Sequence, residues 1–172
     1  SESGYTYINV SASITVGDHT IVATTSIRVW SNPVPVENPV STYEELQNAI
    51  KESKTTVGVT NTIELNTGND LDLTGITVMR PDSFSDALFN VIGDVTITGV
   101  DSGIIDGQYA GSAPLITVAE TGDLTLENIT LQNNHNNATG ETKIHGGAIN
   151  VEGGTLTCTD VTFSGNRVTY MP

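Results

Sequence analysis

An eight-residue phrase recurs four times between residues 71 and 163 and constrains the fold more than any other feature of the sequence. Its first, third and sixth positions are apolar, and its fifth is Gly, Asn or Asp. The copies begin 24, 29 and 32 residues apart, a spacing typical of repeat architectures. They are residues 71–78, 95–102, 124–131 and 156–163. Each copy therefore predicts one coil of a stacked array.

Within each copy, apolar residues two positions apart predict one face of a strand. The phase of this alternation changes at the fifth position, where Gly, Asn and Asp tolerate left-handed backbone angles. Each copy thus predicts two short strands that meet at a corner. An apolar pair upstream of each copy predicts a third strand, at Ile63 and Leu65, Phe89 and Val91, Ile116 and Val118, and Ile149 and Val151. Three strands per coil is the count of a parallel β-helix.

Stacking of the coils predicts two inward columns of side chains, because no single coil can bury its own apolar face. One column is Leu73, Ile97, Leu126 and Cys158, and the other is Ile76, Val100, Ile129 and Val161. Cys158 is the only cysteine, which excludes an internal disulfide. Its place in the column predicts a small buried hydrophobe rather than a reactive thiol.

The predicted fold class is all-β: a right-handed parallel β-helix of about four coils, with an N-terminal capping helix and a short N-terminal β segment. Residues 1–30 alternate apolar and polar residues around a Gly17-Asp18 turn signal. They predict strands of a partial sandwich or a segment that docks on the next domain. Residues 31–40 contain three prolines and predict a stiff linker. Residues 41–172 form the predicted β-helix.

The capping helix is predicted over residues 41–52. Ser41 and Thr42 precede two glutamates at the spacing of a capping box. The apolar residues that share one helix face are Tyr43, Leu46, Ala49 and Ile50. Such a helix can cover the open first coil, where apolar side chains and strand edges would otherwise meet water.

The charge of the chain excludes several classes of partner. Its formal net charge is −14 and its pI is near 4.2, so nucleic acid and anionic membranes would repel it. No stretch approaches the length of a membrane span, so no membrane insertion is predicted for this fragment. These properties suit a soluble, exposed protein.

A polar run from Asn133 to Lys143 has no hydrophobic period and predicts an exposed loop. Such a loop is a candidate contact surface. The candidate ligand-binding residues are Asn133, Asn134, His135, Asn136 and Asn137. The alternative interpretation is a solvated excursion that contacts no ligand.

Two motifs in the last coil resemble a known family. Gly146-Gly147-Ala148-Ile149 is followed, seventeen positions after Gly146, by Phe163-Ser164-Gly165-Asn166. This pair resembles the repeat of chlamydial polymorphic outer-membrane proteins, which adhesin-like surface proteins of gut methanogens and gut bacteria share. Residues 41–50 resemble the first helix of pectate-lyase-like β-helix domains, and residues 17–24 resemble part of a bacterial immunoglobulin-like repeat. The motifs also have structural interpretations, since paired glycines allow a tight turn and Asn166 can bond at a corner.

The resemblance implies a fragment of an extracellular, adhesin-like cell-surface protein. Its function would be non-enzymatic display or attachment, with a glycan or protein of a host or neighbouring cell as partner. One alternative is a carbohydrate-active β-helix, either a polyuronide lyase or a glycoside hydrolase, because those enzymes share the architecture. Arg80 near Asp82 and Asp86 is the only grouping of that kind, and no catalytic residues are predicted. A second alternative is a passive structural spacer.

Carboxylates in two short segments raise calcium as a candidate ligand, because calcium prefers several oxygen atoms. These residues are Asp70, Asp72, Asp82 and Asp86. The alternative is a solvated acidic face, and no other cofactor is predicted. Finally, the last coil near Pro172 is expected to pair with a second copy or to be covered by the N-terminal strands, since bare strand edges favour association.

Overall fold

The computed structural model describes residues 5–16, 19–30, 36–139 and 146–171. The chain divides into two compact units, residues 1–35 and 36–172. Strands make up 47% of the protein and helices 7%, so the fold class is all-β, with parallel sheets in the second unit. No helix in the described ranges is long and apolar enough to cross a membrane.

The first unit contains one antiparallel hairpin. Strands β1 (Tyr5–Val16) and β2 (His19–Trp30) pair along their whole length, with Tyr5 opposite Trp30 and Val16 opposite His19. The predicted Gly17-Asp18 turn lies outside the described residues. The alternating, β-branched sequence of both strands suits this pairing.

The second unit begins with strand β3 (Pro39–Val40) and helix α1 (Tyr43–Lys51). Thr42 is the N-cap, and its hydroxyl accepts a hydrogen bond from the Glu45 backbone N–H at 3.2 Å. The Glu45 carboxylate accepts from the Ser41 backbone N–H at 2.6 Å, and these Ser41 hydrogen bonds lower the pKa of Glu45. The helix buries Leu46 and Ala49 and contacts a strand of the parallel stack, Ile63–Leu65.

The remaining strands form three parallel sheets. These strands are β4 (Thr56–Val59), β5 (Ile63–Leu65), β6 (Leu71–Asp72), β7 (Thr77–Met79), β8 (Phe89–Val91), β9 (Asp94–Asp106), β10 (Ile116–Val118), β11 (Asp123–Gln132), β12 (His135–Thr139), β13 (Ile149–Val151), β14 (Thr155–Thr159), β15 (Thr162–Ser164) and β16 (Arg167–Met171). The four-stranded sheet has the order β5-β8-β10-β13. The largest sheet has the order β3-β4-β7-β9-β11-β14, with β6 beside β9 and β15 beside β11, and β12 pairs with β16.

The four upstream apolar pairs form the four-stranded sheet in the expected register. Phe89 lies opposite both Ile63 and Ile116, and Ile116 also lies opposite Ile149. The second residue of each pair aligns in the same way. Side chains at matched positions of parallel strands face the same side, so these residues form two columns. The columns are buried from β5 to β10, whereas Val151 at the end of one column is 42% exposed. The predicted strand upstream of each copy is confirmed, and these four strands pair in parallel.

The predicted inward column of Leu73, Ile97, Leu126 and Cys158 is shifted by two residues in the first copy of the phrase. Leu126 lies opposite Ile97 and Cys158 as expected, but the partner of Ile97 in the first copy is Leu71. A shift of two residues keeps the same face of the strand inward. Leu71 and Leu73 are consequently both buried.

The prediction that Val100 belongs to the second inward column is wrong. Gly103 lies opposite Ile129, whereas Val100 is 49% exposed. The reason is a bulge in the second copy, where four residues from Gly99 to Ser102 occupy the place that Asn128 fills alone in the third copy. The bend at the fifth position has φ of +73° at Gly75, +51° at Asn128 and +53° at Asp160, so the left-handed corner is confirmed in these three copies.

Cys158 is exposed, which contradicts the predicted buried thiol. It faces the same side as Leu126, its fully buried partner in β11. Among the described strands, however, β14 pairs with β11 alone, so no further layer covers Cys158. The partial burial that remains raises the pKa of the Cys158 thiol.

Candidate functional site

Polar side chains gather where four parallel strands end. Val78, Ile105, Leu131 and Phe163 are aligned through β7, β9, β11 and β15. The residues that follow these four strands therefore lie one above another. We call the group Arg80, Asp106, Asn133, Asn134 and Asn166 the asparagine corner.

Arg80 is the most buried member of the asparagine corner, with no exposed surface. Its guanidinium donates to the carbonyl oxygens of Ala110 at 3.0 Å, Ala113 at 3.2 Å and Pro114 at 2.7 Å. It also donates to Asn134 Oδ1 at 2.6 Å. Burial lowers the pKa of Arg80 to about 10, although the charge of Asp86 acts in the opposite direction. The guanidinium thus stabilises a loop from the inside.

Asn134 and Asn166 connect neighbouring coils at this corner. Asn134 Nδ2 donates to the carbonyl oxygens of Ala113, at 3.0 Å, and Gly147. Asn166 Oδ1 accepts from the Asn134 backbone N–H at 3.0 Å, and Asn166 Nδ2 donates to the Leu131 carbonyl at 2.8 Å. The amides bond backbone groups at a turn, where regular strand pairing stops.

Asp106 is 5% exposed and is surrounded by amide donors. One oxygen accepts from the Gln108 backbone N–H at 2.8 Å, and the other accepts from Gln132 Nε2 at 2.7 Å and Asn133 Nδ2 at 3.2 Å. Among the described residues, no cation forms an ion pair with this carboxylate. Its hydrogen-bonding needs are met by neutral groups.

His135 and Arg167 pair across β12 and β16. Arg167 Nε donates to His135 Nε2 at 3.2 Å, and that nitrogen lies 3.0 Å from Thr169 Oγ1. Partial burial, and then the charge of Arg167, lower the pKa of His135. The contact therefore requires neutral imidazole.

The exposed-loop prediction is wrong for residues 133–139. Asn134 is fully buried and Asn136 is 2% exposed, while residues 135–139 form strand β12. Asn has low strand propensity, but pairing with β16 overrides it. Asn133 and His135 remain partly exposed, and the side chain of Asn137 is not described. Residues 140–145, including His145, lie outside the described residues.

The four candidate calcium ligands do not assemble into a site. Asp70 Oδ1 accepts from the Thr96 backbone N–H at 2.7 Å, and Asp72 Oδ1 accepts from the Thr74 backbone N–H at 3.0 Å. Hydrogen bonds from Thr74 lower the pKa of Asp72. Asp82 and Asp86 lie exposed in a separate turn. In the described part of the chain, no three His, Cys, Asp or Glu residues come together as metal ligands do.

The motif residues of the last coil have structural contacts. A Cβ atom at Gly146 would collide with the Ile149 carbonyl, so that position requires glycine. Ala148 is 7% exposed, and its carbonyl accepts from the backbone N–H groups of Leu115 and Ile116. Phe163 is aligned with buried Leu131 but is itself 51% exposed. The prediction that Asn166 bonds at a corner agrees with its two hydrogen bonds to the preceding coil.

An open cleft of about 590 Å³ lies beside the N-terminus of α1. Most of its lining residues carry hydroxyl or amide groups, among them Ser41, Thr42, Tyr43, Asn61, Asn66 and Asn90. The cleft belongs to the second unit alone and has the size of a small-ligand site.

Sequence reasoning missed Gln108 and Tyr109. Both have left-handed backbone angles, with φ of +52° and +55°, and Tyr109 is 64% exposed. The only local signal is that Gly107 and Gly111 flank them, which predicts a turn but not which side chain the turn presents.

Comparisons of the chain with models of protein families, with curated proteins and with solved structures find no match. The resemblance to adhesin-like repeats therefore stays a prediction based on the two motifs of the last coil.

Proposed function

We propose that this chain is an attachment and display scaffold of an extracellular, adhesin-like surface protein. In this proposal its parallel sheets close into a right-handed β-helix, and α1 caps the first coil. Parallel strands joined in sequence require crossover connections, and such connections are right-handed in about 98% of known cases. The burial of Leu46 against the stack supports a capping role for α1.

The observation that carries the proposal is the in-register stacking of polar and apolar rows. Along the four-stranded sheet, the residue between the two apolar side chains of each strand faces outward. These outward residues are Glu64, Asn90, Thr117 and Asn150. The apolar side chains are buried in β5, β8 and β10, whereas in β13 Ile149 is partly buried and Val151 is exposed. Parallel strands held in register give a stiff body with a regular polar surface, as a display scaffold requires.

The environment of Arg80 favours this scaffold function over the enzyme alternative. A lyase-like mechanism would use an arginine that reaches the substrate. Here the guanidinium is fully buried and bonded to three carbonyl oxygens, so a polysaccharide on the surface cannot contact it. Asp82 and Asp86 are exposed, and neither forms an ion pair with an arginine of the part of the chain that the structure describes.

The test combines binding and cleavage. The fluorescently labelled chain is applied to cells, to a glycan array and to a protein array, with an unrelated protein of equal net charge as the control. The same sample is incubated with polyuronides, and released unsaturated products are measured. Saturable binding without cleavage is the expected result. Cleavage without binding to any array would favour the enzyme, and neither activity would favour a passive spacer.

A further inference from the structure

The loop that joins β9 to β10, residues 107–114, holds two consecutive strained residues. Gln108 and Tyr109 both have left-handed φ angles although neither is glycine. Each such residue costs roughly 1–2 kcal/mol, and the conformation persists only where the surroundings impose it. We call this segment the 107–114 loop.

Hydrogen bonds to buried groups outside the 107–114 loop hold its backbone in place. Arg80 bonds three of its carbonyl oxygens, and the Tyr109 backbone N–H donates to the Asn133 carbonyl at 2.6 Å. The Gln108 backbone N–H donates to Asp106 Oδ1. The loop is therefore held in one conformation by buried groups.

The Tyr109 side chain takes no part in this packing. It is 64% exposed, and no described residue forms a hydrogen bond with its hydroxyl. Tyr43 differs, because its hydroxyl is bonded to both Asp70 and Gln47. A strained, anchored loop that presents an exposed aromatic ring is characteristic of a recognition site.

The neighbours of Tyr109 offer hydrogen-bond acceptors. The NH₂ groups of Gln132 and Asn133 donate hydrogen bonds to Asp106, which leaves the amide oxygens of both side chains available as acceptors. A Cβ atom at Gly165 would lie 2.9 Å from Asn133 Oδ1 and 3.6 Å from the Tyr109 hydroxyl. The hydroxyl end of Tyr109 and the Asn133 oxygen therefore border the same glycine, which adds no side chain between them.

We propose that Tyr109, Gln132 and Asn133 bind an arginine or lysine side chain of a protein partner. This inference rests on the attachment function proposed above and names the class of its ligand. A cation is attracted to the face of a tyrosine ring, and its N–H groups are donors only, which suits a site of acceptors. Asp106, whose carboxylate forms no ion pair with any cation in the described ranges, and the net charge of −14 attract cations as well. A neutral glycan would also need hydrogen-bond donors in the site, because its hydroxyl groups accept hydrogen bonds as well as donate them.

The test follows ¹⁹F NMR of the whole chain labelled with 3-fluorotyrosine. The chain has five tyrosines, and Tyr109→Phe assigns the Tyr109 resonance by its disappearance. The probes are a capped Gly-Arg-Gly peptide, the same peptide with neutral citrulline, and a neutral tetrasaccharide of N-acetylglucosamine. The arginine peptide is expected to shift the Tyr109 resonance saturably, with an affinity about fivefold above that of the citrulline peptide. Added salt should reduce this difference.

Variants are compared through broadening of the arginine peptide's own signals. Tyr109→Leu removes the ring and should weaken binding about fivefold, whereas Tyr109→Phe keeps the ring and should change it less than about twofold. Circular dichroism checks that both variants keep their strands. Equal affinity for the arginine and citrulline peptides, or a shift of Tyr43 in place of Tyr109, would overturn the proposal. Binding of the tetrasaccharide alone would assign the site to glycans and overturn it too.

Cell binding separates this inference from the proposed function. If Tyr109→Leu binds cells as the unmodified chain does and the arginine peptide fails, the cation site is wrong and attachment stands. If the unmodified chain binds no cell and no array, the attachment function is wrong whatever the peptides do.

Discussion

Replacing Arg80 by methionine tests whether a buried guanidinium stabilises the asparagine corner. Methionine is apolar and of similar length, so it limits the cavity while it removes every donor. Ala113 would keep a hydrogen bond from Asn134 Nδ2. The carbonyl oxygens of Ala110 and Pro114, and Asn134 Oδ1, would lose the Arg80 bonds.

The magnitude follows from two opposing contributions. Each buried acceptor left without a donor costs about 1–3 kcal/mol, so three of them cost roughly 3–9 kcal/mol. Removing the buried charge offsets part of this cost, because the guanidinium no longer has to be desolvated on folding. The fall of the pKa of Arg80 from 12.5 to about 10 corresponds to about 3 kcal/mol, at about 1.36 kcal/mol for each pH unit. We expect Arg80→Met to lower the free energy of unfolding by about 3 kcal/mol.

The assay is equilibrium unfolding in urea followed by far-ultraviolet circular dichroism. Circular dichroism follows the strands of the second unit, whereas Trp30, the single tryptophan, belongs to the first unit. A slope of about 1–3 kcal/mol per molar urea predicts that the midpoint falls by about 1–3 M. Lys54→Met is the matched control, because it removes one positive charge at a side chain that is 40% exposed. That change should cost less than about 0.5 kcal/mol. Equal midpoints for the two variants would refute the reasoning.

Three further predictions concern local features of the second unit. Thr42→Ala removes the helix cap and should cost about 1 kcal/mol in urea unfolding, with helix loss visible by circular dichroism. Gly107→Ala places a Cβ atom 2.6 Å from the Asn134 Cα atom and should lower the same free energy by about 1–3 kcal/mol. Because the pKa of His135 is lower in the folded chain than in the unfolded chain, the unfolded chain binds a proton at a higher pH. Stability should therefore fall as the pH drops below about 6.5. His135→Gln should flatten that part of the pH profile in thermal unfolding, and an unchanged profile would show that folding does not lower the pKa of His135.

Local sequence predicted the features that local chemistry decides. The upstream apolar pairs align as expected because alternation within three residues already specifies which side faces inward. The left-handed corners at Gly75, Asn128 and Asp160 follow from side chains that tolerate that conformation. The first turn of α1 was predictable for the same reason, since its cap and its glutamates are neighbours in sequence.

Features that depend on distant partners could not be predicted in this way. Val100 occupies the expected position of the phrase, but the bulge from Gly99 to Ser102 moves it to the surface. Cys158 has the correct orientation, yet its exposure depends on whether another layer covers it. The polar sequence of β12 does not indicate a strand, because its order comes from pairing with β16. The buried position of Arg80 depends on carbonyl groups about thirty residues away in sequence.

The corner and the varying spacing of the repeat have a common physical explanation. Along the sides of the stack, backbone pairing satisfies the N–H and C=O groups, which fixes the length of each strand. At the corner this pairing stops, and the side chains of Arg80, Asn134 and Asn166 take over the hydrogen bonds. A turn held by side chains tolerates inserted residues, as long as the bonded groups stay in place. The 107–114 loop leaves the stack from this corner. The increase of the copy spacing from 24 to 32 residues is therefore expected where loops can lengthen without disturbing the strands. The same freedom makes the corner the part of the parallel sheets best suited to carry a binding surface.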